Sequence, residues 1–133
     1  INTAFIDSEY IRSDVSGVIG KKVEFVPNQN IKTGIKLGVG NFIFNTQFSY
    51  VAKQYTDSSN AKEGNISGII GEIPKYNLVD FSVAYRYKKV KFEAGVNNIS
   101  NTYYFTRRAT GYPGPGIIPS PRRNFYLTLE LNF

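Results

Sequence analysis

The hairpin Val79-Asp80-Phe81-Ser82-Val83-Ala84-Tyr85-Arg86-Tyr87-Lys88-Lys89-Val90-Lys91-Phe92-Glu93-Ala94-Gly95-Val96 decides how the rest of the chain is read. Its apolar residues fall at every second position: Val79, Phe81, Val83, Tyr85 and Tyr87, then Val90, Phe92, Ala94 and Val96. A period of two lines one face of a pleated strand, whereas a helix would bring residues three and four apart together. Asp80, Ser82, Arg86, Lys91 and Glu93 fall on the opposite face, and Lys88-Lys89 reverses the chain.

Working outward, the alternation continues. Ile31, Thr33, Ile35 and Leu37 share the charge-free face with Phe42, Phe44, Thr46, Phe48 and Tyr50, and with Phe125, Leu127, Leu129, Leu131 and Phe133. Lys32, Lys36, Asn45, Gln47, Ser49, Thr128, Glu130 and Asn132 take the other. The pattern predicts six strands, at about 1–11, 23–37, 42–55, 75–87, 89–98 and 123–133, with no helix between them. The fold class is therefore all-β, an antiparallel up-and-down meander of about six long strands. Gly38-Val39-Gly40-Asn41 and Lys88-Lys89 are tight turns, with glycine supplying positive φ in the first. The other connections, about 12–22, 56–74 and 99–122, are long. Short turns at one end and long loops at the other are the mark of outer-membrane barrels.

Composition narrows the chemistry. Among the 133 residues there is no Cys, His, Met or Trp. That excludes a zinc ribbon, a thiol nucleophile, a Ser-His-Asp triad and a haem-histidine site. No pair of carboxylates, nucleophile–base arrangement or glycine-rich phosphate loop stands out, so no enzyme is expected and no cofactor is implied. No stretch of about 18 apolar residues is present to form a membrane-crossing helix. Strands can cross a bilayer only in a closed barrel, with the apolar face on lipid and the polar face on a wet lumen. Aromatic residues gather at strand ends: Phe42, Tyr85, Tyr87 and Phe133 by the tight turns, Tyr50 and Phe125 by the long loops. They resemble two interfacial girdles. Six strands cannot close such a barrel, since single-chain ones start at about eight. Lacking an initial Met and a basic-then-apolar leader, the chain is expected to be a piece of a longer protein, or else a protomer that completes a barrel with other copies.

Four stretches together resemble a known family. Ala94-Gly95-Val96-Asn97-Asn98-Ile99-Ser100-Asn101-Thr102-Tyr103-Tyr104 looks like the penultimate-strand motif of TonB-dependent outer-membrane receptors, with Ile-Ser where Leu-Phe is commoner. Gly71-Glu72-Ile73-Pro74-Lys75-Tyr76 resembles the family's entry into an earlier strand, and Gln54-Tyr55-Thr56-Asp57 one of its strand ends. Arg123-Asn124-Phe125 through Leu131-Asn132-Phe133 is similar to its terminal strand, which ends in Phe. The loop from Thr106 to Pro119 is similar to the last loop of the ferric dicitrate group. The resemblance implies that 1–133 is the C-terminal segment of a 22-stranded receptor barrel in a Gram-negative outer membrane. Its plug domain and earlier strands lie elsewhere in the parent, and both tight turns face the periplasm. It implies TonB-dependent uptake of an iron(III) chelate, with the plug, the remaining strands, the TonB complex, outer-membrane lipid and lipopolysaccharide as partners.

Between Glu93 and Glu130 there is no acidic residue, while Arg107, Arg108, Arg122 and Arg123 all lie in that window. Arginine clusters suit polycarboxylates and phosphates through paired hydrogen bonds, and Tyr103, Tyr104 and Tyr112 could add apolar contact with polar tips. Three roles stay open for these arginines: an anionic iron chelate, lipopolysaccharide phosphates at the rim, or acids elsewhere in the parent. Asp57 and Glu63 make no convincing metal pair.

Two other functions compete. A small soluble β-barrel carrier for an anionic or lipid-like ligand has a similar length, but it needs about ten short strands around an occluded pocket. Nucleic-acid binding is suggested by a net charge of +6 with ten Tyr and ten Phe. Against it, the aromatic side chains alternate on an uncharged face, and the arginines are not interleaved with them.

Overall fold

A computed structural model describes residues 1–132; Phe133, placed by its sequence at the end of the last strand, lies outside the described residues. Ten strands form in order: β1 (Asn2–Phe5), β2 (Gln29–Val39), β3 (Phe42–Val51), β4 (Gln54–Tyr55), β5 (Glu72–Ile73), β6 (Tyr76–Tyr87), β7 (Val90–Asn97), β8 (Phe105–Ala109), β9 (Gly116–Pro119) and β10 (Asn124–Leu131). Six of them make one antiparallel sheet in the order β1-β2-β3-β6-β7-β10. β4–β5 and β8–β9 are separate two-stranded ribbons inside the long connections.

The six-strand meander is as the alternation predicts, with shorter ends. β1 leaves the sheet after Phe5 rather than at 11; the chain runs on beside residues 21–28, with Ile6 N–H on Asn28 O (3.0 Å) and Tyr10 N–H on Lys21 O (2.9 Å). β2 begins at Gln29 rather than 23, because Pro27 has no N–H for the ladder and Phe25 sits at φ 56°, left-handed. β3 stops at Val51, and the last residues predicted to continue it, Gln54 and Tyr55, pair instead with Ile73 and Glu72.

Both tight turns hold two residues. Gly40 takes φ 57° between the paired Val39 and Phe42, and Lys88 takes φ 52° between Tyr87 and Val90. The left-handed region costs a glycine little and a lysine about 1–2 kcal/mol.

Register fixes the two faces. Leu37, Phe44, Val83, Ala94 and Leu127 stand in one row across five strands. The row beside it, on the other face, is Lys36, Asn45, Ser82, Gly95 and Tyr126. Gly95 leaves open the space that the Tyr126 ring fills, and the Tyr126 hydroxyl donates to Glu93 Oε1 at 3.2 Å. An aromatic ring laid over a cross-strand glycine pins register as well as covering backbone.

Nothing among the described residues covers the apolar face: Ile35 is 64% exposed and Leu127 79%. Among the described residues, buried apolar side chains are confined to Val18, Ala52, Ile73 and Ala84. An aqueous domain of this size rests on a packed interior, and this sheet has none. Nor do its ends meet. β1 and β10 are the two edges of the sheet and pair with β2 and β7 only, so the strands enclose no carrier-type pocket. β2, β3 and β6, at 11, 10 and 12 residues, match the 9–11 or so that a tilted strand needs to cross hydrocarbon. Among the described residues no helix is long and apolar enough to cross a membrane.

Candidate functional site at the long-loop end

The three long connections emerge at the same end of the sheet and are tied to one another. Lys22 N–H donates to Asn60 Oδ1 at 2.7 Å, and Asn60 Nδ2 donates back to Lys22 O at 2.8 Å. Phe25 N–H bonds Tyr55 O at 2.9 Å. These bonds join the β1–β2 connection to the β3–β6 connection. Arg108 joins the latter to the β8–β9 ribbon, donating from Nη1 to Gly68 O (2.9 Å) and from Nη2 to Glu72 O (3.1 Å). Tyr76 and Tyr104 pack as a tilted pair, 4.7 Å between ring centroids, closing the assembly against the start of β6.

The β7–β10 connection opens on a knot around Asn98, which is 3% exposed and left-handed at φ 51°. Its backbone N–H donates to Asp80 Oδ1 (2.8 Å), its Oδ1 accepts the Thr102 N–H (2.8 Å), and its Nδ2 donates to Thr102 O (2.9 Å). Asparagine tolerates that backbone because its short amide bonds locally. The knot turns the chain and presents Asn101, whose Oδ1 accepts from Arg122 Nε (3.1 Å) and from the Arg123 backbone N–H (3.4 Å). The Arg122 guanidinium lies 3.7 Å from the centroid of the Tyr103 ring.

The five residues singled out by the sequence are not gathered into one site. Arg108 is half-buried and spends two of its nitrogens on backbone carbonyls, while its Nε is buried with no partner. Arg107, its neighbour on β8, is exposed, as is Tyr112 in the turn of the ribbon. Arg122 and Arg123 form a second group around Asn101 and Tyr103. Sequence reading misses Asn60 and Asn98 as organisers, and takes Tyr103 for a ligand contact where the structure sets its ring under Arg122. The signal for Asn98 was the polar run Asn97-Asn98-Ile99-Ser100-Asn101, which favours side-chain-to-backbone turns.

Three acids at this end are paired with lysines. Asp7 and Glu9 both reach Lys22 Nζ at 2.6 Å, and Glu72 reaches Lys53 at 3.1 Å. The hydrogen bond that Lys22 donates to Asp7, then that to Glu9, holds its ammonium above the usual lysine range; the bond to Glu72 does the same for Lys53. Among the described residues no group of three or more acids gathers that could hold a metal ion.

No protein-family model matches the sequence. Solved structures do. The ferric citrate transporter FecA in its unliganded form is 27% identical over 89% of this chain, with a TM-score of 0.80. The siderophore receptor PiuA from Acinetobacter baumannii (22% identity, 97% of this chain, TM-score 0.78) and BauA, the ferric preacinetobactin receptor of the same organism (19%, 98%, 0.73), share the fold. The chain spans less than a fifth of the length of the first two, 18% in each case, and 19% of BauA. These are transport receptors, not enzymes. The chain is thus an all-β, antiparallel six-stranded sheet with the fold of a stretch of TonB-dependent receptor barrel wall.

Proposed function

We propose that this chain is the C-terminal wall, 1–133, of an outer-membrane receptor that takes up a ferric chelate with energy from the TonB complex, and that the chelate is anionic, of the ferric dicitrate kind. The observation that carries the reading is the uncovered, charge-free face running across a sheet with two unpaired edges. Such a sheet is stable in lipid only when further strands complete a barrel and a plug domain fills its wide lumen. With the long loops outside the cell, the exposed Arg107 and Tyr112 of the β8–β9 ribbon can meet a carboxylate-rich chelate. Arg108 holds that ribbon in place through Gly68 and Glu72. The likeness to FecA supports the choice of chelate.

The test uses the complete polypeptide that carries this chain, expressed in an iron-starved Gram-negative strain lacking its own chelate receptors. Uptake of radioactive iron from ferric citrate, abolished when the TonB complex is deleted and lowered severalfold by Arg107→Ala, is the expected result. Uptake from a neutral hydroxamate chelate but not from ferric citrate would overturn the anionic part. No TonB-dependent uptake of any ferric chelate would overturn the whole.

A further inference from the structure

On the charge-free face no strand of the sheet carries a formal charge. Continued by one residue at the long-loop end, the alternation reaches Lys75, just before Tyr76 of β6, and Arg123, just before Asn124 of β10. Both are exposed, and both sit at the boundary where the apolar face stops. Beside Lys75 stands Tyr103, 76% exposed, sharing a hollow of about 40 Å³ with Pro74, Lys75 and Tyr104. Arg122 stacks on the Tyr103 ring and is anchored by Nε to Asn101; its two terminal nitrogens make no bond among the described residues. No ion pair among the described residues involves Lys75, Arg122 or Arg123, the ion pairs being those of Lys22, Lys53 and Lys91.

This arrangement has the chemistry of a phosphate site at a lipid boundary. A guanidinium held over an aromatic ring, 3.7 Å from its centroid, loses less freedom on binding and presents a fork that matches phosphate geometry. A tyrosine with an apolar ring and polar tip is suited to the level where hydrocarbon ends and headgroups begin. Three uncompensated cations call for more than one negative charge. We propose that Lys75, Arg122 and Arg123, set around Tyr103, bind the phosphates of lipid A, the membrane anchor of lipopolysaccharide, in the leaflet beside the long loops. The inference rests on the membrane-wall part of the proposed function and is independent of the chelate.

The complete polypeptide that carries this chain is purified in detergent and titrated with lipid A, bound copies being read by native mass spectrometry. Folding of every variant is checked by the heat-dependent shift in electrophoretic mobility that closed barrels give. The expected result is at least a fivefold loss of affinity in K75A/R122A/R123A and for dephosphorylated lipid A. A control with Arg12, Lys21 and Lys62 changed to Ala, also cations of the long connections, keeps wild-type affinity. Arg122→Lys, which keeps the charge and removes the stacked fork, loses part of the affinity. A loss under fivefold in the triple variant, an equal loss in the control, or equal binding of dephosphorylated lipid A overturns the site. A wild type that binds no lipid A overturns it too, and one that shows no heat-dependent shift overturns the wall reading itself.

Discussion

Replace Thr46 with arginine in one variant and Gln47 in another. The two residues are adjacent in the middle of β3, both are exposed in the sheet, and they point to opposite faces. Thr46 stands between Ile35 and Phe81 on the charge-free face, with no countercharge in its row. Gln47 stands between Gly34 and Asp80, so an arginine there meets a carboxylate. In water the two substitutions would be nearly equal, since exposed changes stay within about 0.5 kcal/mol. In a barrel wall they separate. An arginine facing lipid near the bilayer midplane costs about 2–4 kcal/mol, while one facing the lumen costs little. At about 1.4 kcal/mol per decade, the difference is roughly 30- to 700-fold in the folding equilibrium. Urea titration of the complete polypeptide in lipid vesicles, with the folded fraction read from heat-dependent mobility, measures it. The reasoning fails if Thr46→Arg and Gln47→Arg differ by less than about 0.5 kcal/mol, or if Gln47→Arg is the worse of the two.

Asn98→Ala leaves the Thr102 N–H and C=O without partners and puts a Cβ residue with no local bond into the left-handed region, so it should cost about 2–4 kcal/mol in the same titration. Asn98→Gly keeps the backbone and should recover about 1 kcal/mol of that. Arg108→Ala should speed hydrogen exchange in 64–72 and in the β8–β9 ribbon while leaving β6 and β7 unchanged; Arg107→Ala should change neither. The pH dependence of Lys22 follows from its raised pKa. The contribution of its pairs with Asp7 and Glu9 is fully present below the ordinary lysine value and is lost as pH rises through the higher, folded-state one. A spin label at Ser16→Cys should therefore keep its mobility past the ordinary lysine pKa and loosen only above it. Loosening that is complete before that value is reached would contradict the pairing.

The sheet was legible in the sequence because its cause is local. Each strand carries its own period of two, and an error of one residue would have turned Lys32, Lys36, Lys91 and Glu93 onto the apolar face. Strand ends were less legible, because they depend on competition. Gln54 and Tyr55 fit the pattern of β3, yet Ile73 and Glu72, almost twenty residues on, offer them a different ladder. Val23 to Val26 read as strand until Pro27 and the left-handed Phe25 are weighed.

The arginines show why composition locates a site only coarsely. Arg107 and Arg108 are indistinguishable as letters, and both lie in the same acid-free window. What separates them is which side of β8 faces the β3–β6 connection, and that depends on Gly68 and Glu72, about forty residues away. Arg108, on that side, finds two carbonyl oxygens and becomes a strap; Arg107 stays exposed. The same holds for Arg122, whose orientation is set by Asn101 and Tyr103, and these in turn by the bonds of Asn98 with Asp80 and Thr102. A charge at a loop position becomes a ligand contact, a strap or a rim contact according to the neutral polar residues that hold it. Those polar residues, Asn60, Asn98 and Asn101, are where substitutions should most alter how the loops are arranged, ahead of the arginines themselves.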